Sequence, residues 1–228
     1  MDFKSIKNLI QSLVKGIYSL FHKEKQKPFV YVAIGDSTVE GMGASHPKKA
    51  FAPYVFSVLK KELPHVSFYN FGKAGVGVEG VLQDQIEKTI ELKPDLVVIS
   101  VGFNDIKNKV SSGEFEKQFG ELLKTISEKT DAFIIVNTIP DISMVKSLSL
   151  FRKLYGDLLI KQFNKAIKKQ VEKHQAHLVD TYAHSKSLKG YTEIVADDGL
   201  HPSDIGHVIW GNAILETIRT VLRKEISN

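Results

Sequence analysis

The chain has 228 residues, 43% of them hydrophobic, and no cysteine. That length buries a substantial core within one domain, and the missing thiols exclude disulfides, thiol catalysis and cysteine-ligated zinc. Of the formal charge of +5, residues 1–27 carry +4 (six lysines against Asp2 and Glu24), so the body is left with +1, too near neutral for a nucleic-acid partner.

The first segment, residues 1–27, is a basic leader. It lacks the pattern of a signal peptide, and no apolar run anywhere reaches the roughly 18–20 residues of a spanning helix. The expected location is therefore cytoplasmic. At about 100° per residue, Phe3, Ile6, Leu9, Ile10, Leu13, Val14, Ile17, Leu20 and Phe21 fall on one half of a helix. Lys4, Lys7, Asn8, Gln11, Ser12, Lys15, Ser19 and His22 fall on the other, with Gly16 at the boundary. An apolar face rimmed by lysines predicts peripheral contact with an anionic membrane through residues 3–22. Docking onto the protein's own body, or onto a partner, is the alternative.

The composition changes at Pro28, which predicts two units: the amphipathic leader over 1–27 and a folded domain over 28–228. Apolar, β-branched runs follow at 29–34, 66–71, 95–101, 132–138 and, briefly, 177–180. Stretches of helical period lie between them at about 49–63, 80–92, 113–129 and 150–175, and a last one near 204–224. Strands apolar throughout, rather than alternating, suit a parallel sheet covered on both faces. The predicted fold is a three-layer α/β/α sandwich on a five-stranded parallel sheet, with functional groups at the carboxyl ends of the strands.

Those ends carry a consistent set of residues. After the first strand comes Gly35-Asp36-Ser37, and after the second "NFGKAGVG" with Asn70, Gly72 and Gly75. After the third comes Gly102-Phe103-Asn104-Asp105, and before the last helix "DDGLHPSDIGH" with Asp198 and His201. A serine hydroxyl is a poor nucleophile until a base takes its proton, and the base needs an acid to hold its tautomer. Among the eight histidines, His201 alone has an aspartate three residues before it in a loop and a proline after it. Pro202 keeps it out of the following helix, which must start near Ser203 or Asp204. Taken singly, each residue has an ordinary reading: Ser37 as a turn residue, His201 as a cap, Asn104-Asp105 as a turn or N-cap pair. Asp197 reads as solvated, His207 as structural, and His22, His46, His65, His174, His177 and His184 as surface.

Together, GDS at 35–37, the glycine at 75, G-x-N-D at 102–105 and D-x-x-H at 198–201 resemble the four blocks of the SGNH, or GDSL-type, serine hydrolases. The resemblance spans roughly 29–222 and departs at Thr38, where that family usually has leucine. It implies the flavodoxin-like fold of that family and hydrolysis of carboxylic esters or thioesters through an acyl-enzyme, with no metal and no cofactor. The roles implied are nucleophile for Ser37, base for His201 and orienting acid for Asp198. The implied oxyanion donors are the backbone N–H groups of Ser37 and Gly75 and the side chain of Asn104. Glycine at 75 is expected to let the backbone approach closely.

Two other readings compete. "GVGVEG" at 75–80 matches the G-x-G-x-x-G of a dinucleotide loop, which would make the chain an NAD-binding protein. That motif wants an acid at the end of the next strand, where the chain reads Ser100-Val101-Gly102, with Asp105 a late candidate. A non-catalytic binding domain on the same fold is the other reading. For an enzyme, the apolar stretch containing Ile142, Met144, Val145, Leu148, Leu150 and Phe151 serves as core, or as a lid or acyl pocket. The second option favours fatty acyl esters such as lysophospholipids, or thioesters, over acetyl groups on sugars.

Overall fold

The computed structural model describes residues 28–63, 65–143 and 149–227. The leader and its expected helix, with Met144, Val145 and Leu148 of the expected lid, lie outside the described residues.

Five strands, β1 (Phe29–Gly35), β2 (Val66–Asn70), β3 (Leu96–Ser100), β4 (Phe133–Asn137) and β5 (His177–Val179), form one sheet in the order β2-β1-β3-β4-β5. Every pairing is parallel, with Val32 opposite Val97 and Val97 opposite Ile134. All seven residues of β1 are buried, because a central strand with helices on both faces has no solvent side. Alternate side chains enter different cores. Val32, Ile34, Val97 and Ile99 pack with Phe115, Phe119, Phe163 and Ile167 on one face. Tyr31, Ala33 and Val98 pack with Phe51, Leu59, Trp210 and Ile214 on the other.

The first face is covered by α3 (Val78–Asp84), α4 (Ile86–Glu91), α6 (Ser112–Lys129) and α7 (Leu150–Lys173). The second is covered by α2 (Phe51–Glu62) and α9 (Asp204–Ser227). Three short helices, α1 (Ser37–Glu40), α5 (Phe103–Lys107) and α8 (Thr181–Ser187), sit directly after the carboxyl ends of β1, β3 and β5. In α6, Phe115, Phe119, Leu122, Leu123 and Ile126 form the buried stripe, and Ser111 caps its first turn by accepting from the Glu114 N–H at 3.1 Å.

The helix expected over 80–92 is instead two, broken at Gln85, whose side chain turns into the sheet. The last helix starts at Asp204, past Pro202. His207 is structural as expected: its Nδ1 accepts from the Phe51 N–H at 3.2 Å and its Nε2–H donates to the Met42 carbonyl at 2.9 Å. No helix among the described residues is long and apolar enough to cross a membrane.

Candidate active site

Strand β1 ends on Gly35. Gly35 has φ +141, and a Cβ there would stand 1.9 Å from the Ser100 carbonyl oxygen, so only glycine fits between the strands. Gln85 grips its backbone from both sides, Oε1 accepting from the Gly35 N–H at 2.8 Å and Nε2 donating to the Gly35 carbonyl at 2.9 Å. The next residue, Asp36, caps α1 by accepting from the Thr38 N–H at 3.0 Å. Ser37 is thus the first residue of a four-residue helix at the tip of a buried strand.

His201 reaches that serine from the far end of the chain. Its Nε2 lies 2.9 Å from Ser37 Oγ, and its Nδ1 lies 2.6 Å from Asp198 Oδ2. Asp198 also shapes the loop that carries the histidine, its Oδ1 accepting from the N–H groups of Leu200 and His201, both at 2.9 Å. Partial burial raises the Asp198 carboxyl, but those two N–H groups and the His201 side chain outweigh it and hold the group below its usual range. With the carboxylate fixing Nδ1 as the donor, Nε2 is left to accept from the serine hydroxyl. Asp197 is exposed, as expected.

The remaining site residues line the same cavity, of about 770 Å³. Gly75 is there with φ +82. A Cβ on Gly75 would meet no protein atom within 4 Å, so within the chain itself it is the positive φ that asks for glycine. Asn104 donates from Nδ2 to the Val76 carbonyl at 3.0 Å, which leaves the second hydrogen of that amide for the cavity. The loop holding Gly75 is tied to α1: Glu40 accepts from the Ala74 N–H at 2.7 Å, and Asn70 donates to the Val39 carbonyl at 2.7 Å. Asp105 accepts from the Val78 N–H at 3.0 Å and so fills the amino end of α3. This counts against a dinucleotide loop at 75–80, because the place a pyrophosphate would take already holds a buried carboxylate. Among the described residues no group of three or more His, Asp or Glu side chains is gathered as a metal site.

The cavity wall is mostly apolar, with Ile139, Ile142, Leu188, Ile194, Leu200 and Trp210 among its residues. Of the stretch expected as lid or core, Ile142 is in this wall, whereas Leu150 and Phe151 face solvent on α7. Of the histidines expected at the surface, His46, His65 and His184 are exposed, and His184 also borders the cavity. His174 and His177 are half-buried instead, the latter stacked on Phe133 with ring centroids 4.2 Å apart.

The supporting residues Gln85 and Glu40 were not among the sequence candidates, and Asp105, expected as a turn or N-cap residue, caps α3 rather than its own helix. Gln85 carried a signal, since with Val81 and Thr89 it repeats every four residues along the buried stripe of an otherwise apolar pattern.

Comparison with known proteins agrees with this fold. The family model of the GDSL-like lipase/acylhydrolase family matches residues 33–209. An acetylxylan esterase of Geobacillus stearothermophilus is 27% identical over 206 residues, 81% of this chain and 91% of that one. Among solved structures, the lipase/acylhydrolase from Enterococcus faecalis is similar at a TM-score of 0.68 and 24% identity, covering 84% of this chain and 96% of that one. The structure of TesA is similar at a TM-score of 0.69 and 18% identity, covering 83% of this chain and 97% of that one. With 33–209 matched, the chain belongs to the GDSL-like lipase/acylhydrolase family.

Proposed function

We propose that the protein is a serine ester hydrolase that works through an acyl-enzyme on Ser37 and prefers apolar acyl chains longer than acetyl. The observation that carries this is the hydrogen-bonded chain Asp198–His201–Ser37, at 2.6 and 2.9 Å, at the wall of an apolar cavity of about 770 Å³. Ser37 Oγ attacks the ester carbonyl while its proton passes to His201 Nε2, and Asp198 stabilises the imidazolium. The Ser37 and Gly75 N–H groups and the Asn104 amide receive the oxyanion, each such donor being worth about 3–4 kcal/mol. His201 then returns the proton to the departing alcohol or thiol, and a water repeats the sequence to release the acid.

The cavity supports the acyl preference. Its volume is that of a site for a drug-sized ligand, and a two-carbon acyl group would leave most of it unfilled. Lysophospholipids and long-chain thioesters fit this chemistry. A second reading, removal of acetyl groups from a sugar polymer, has the acetylxylan esterase relative in its favour.

Ser37→Ala tests the reaction. It should lower kcat by about 10⁴-fold or more and abolish labelling by a fluorophosphonate, with the thermal midpoint unchanged. A folded variant with wild-type turnover ends the proposal. A series of p-nitrophenyl esters tests the substrate: kcat/KM should rise at least about tenfold from acetyl to octanoyl, each buried methylene adding about 0.8 kcal/mol. A maximum at acetyl would favour the sugar-ester reading and leave the hydrolase assignment standing.

A further inference from the structure

The outward side of α7 carries an apolar surface that the reaction does not explain. Leu150, Phe151, Leu154, Tyr155 and Leu158 are 57–78% exposed. At about 100° per residue they fill an arc of about 140°, opposite the arc of Ile160, Phe163 and Ile167, which enter the core. Soluble proteins seldom leave so many large apolar side chains together in water. Beyond Leu158 the same arc continues as Lys161, Lys165, Lys168, Lys169 and Lys173, all exposed. Three of these also meet carboxylates (Asp157, Asp180 and Glu116), yet on the arc itself the only acid is Glu172. The apolar end stands beside the cavity: Gly156 lies so close to Ile142, a cavity residue, that a Cβ would come within 2.6 Å of its Cδ1. Met42 and Leu200, both at the cavity, are exposed as well.

We propose that the outward face of α7 docks on an anionic phospholipid surface, with Leu150, Phe151, Leu154, Tyr155 and Leu158 entering the acyl boundary and the lysines beyond them meeting headgroup phosphates. Apolar insertion next to a cationic band is the chemistry of a helix at a membrane interface. The other occupants fit less well. The leader's apolar positions run from Phe3 to Phe21, a rise of about 27 Å as a helix, against about 12 Å for the stripe. Laid along α7, the rest of the leader would meet lysines with lysines of its own. A second copy could cover the stripe but would bring the lysine band no counter-charge, since its own face carries the same lysines.

The test uses the full chain and vesicles of phosphatidylglycerol and phosphatidylcholine in equal parts. Wild-type protein should co-sediment with them, less so as salt rises. The triple variant Phe151→Gln, Leu154→Gln, Leu158→Gln should lose at least about tenfold in partitioning, while keeping its thermal midpoint and its turnover of a short water-soluble ester. Ser37→Ala should bind as wild type does, so docking and hydrolysis fail separately. As a second readout, Tyr155→Trp should give a blue-shifted indole emission when vesicles are added. The proposal is overturned by a wild type that stays in the supernatant, by a triple variant that sediments undiminished, by an unshifted indole, or by a wild-type dimer that the triple variant dissolves.

Discussion

The Asp36 carboxylate is 5% exposed and lies one residue before Ser37, and burial pushes it up to about 6 despite the hydrogen bonds from Thr38. Between its ordinary value near 3.8 and about 6, the folded chain holds a proton that the unfolded chain has released. The stability this group confers is therefore full below about pH 4 and is lost as pH rises through about 6, a change on the order of 3 kcal/mol. Asp36→Asn keeps a cap acceptor without the charge. In urea unfolding it should exceed wild type by up to about 3 kcal/mol at pH 8, with the gain vanishing near pH 4. A gain of equal size at both values would assign the effect to something other than the carboxylate. Ser37, Asp198 and His201 could be picked out in the sequence because order along the chain and local spacing mark them. Asp36 could not be weighed the same way, because its ionisation depends on what the fold packs over it.

Between elements, the joint between β1 and the break separating α3 from α4 sets where the serine stands. Gln85 is 2% exposed and supplies the acceptor for the Gly35 N–H. Gln85→Met keeps the volume but leaves that buried donor unpaired, which should destabilise the fold by about 1–3 kcal/mol. Because Ser37 is two residues further on, kcat should fall about tenfold with KM little changed. Equal loss in both would make Gln85 a substrate-binding residue, and an unchanged kcat would make it purely structural. The five strands were legible to within about a residue, since short, mostly apolar runs between prolines, glycines and polar residues admit few other structures. The break was not, because Leu82, Ile86 and Ile90 carry a four-residue apolar spacing straight across it.

For the whole molecule, the expected boundary at Pro28 implies a domain that needs nothing before it. The Phe29 N–H donates to the His65 carbonyl at 2.8 Å, and among the described residues both cores begin with β1, at Phe29 and Val30. A chain beginning at Lys27 should keep the thermal midpoint of the full protein within about 2–4 °C, the effect of about 1 kcal/mol at this size, and should hydrolyse a short soluble ester at the full rate. Aggregation or a large loss on removing the leader would make it part of the core. Of the apolar stretch expected as core, lid or acyl pocket, Ile142 reached the cavity, while Leu150 and Phe151 turned outward because α7 sets its opposite face against the sheet. Ser37 and His201 meet across 164 positions, so the first strand and the approach to the last helix must both be in place before the hydroxyl finds its base. On the roles proposed for that pair, a refolding chain should regain most of its circular dichroism while still inert, and the return of turnover should time the arrival of the segment that carries His201.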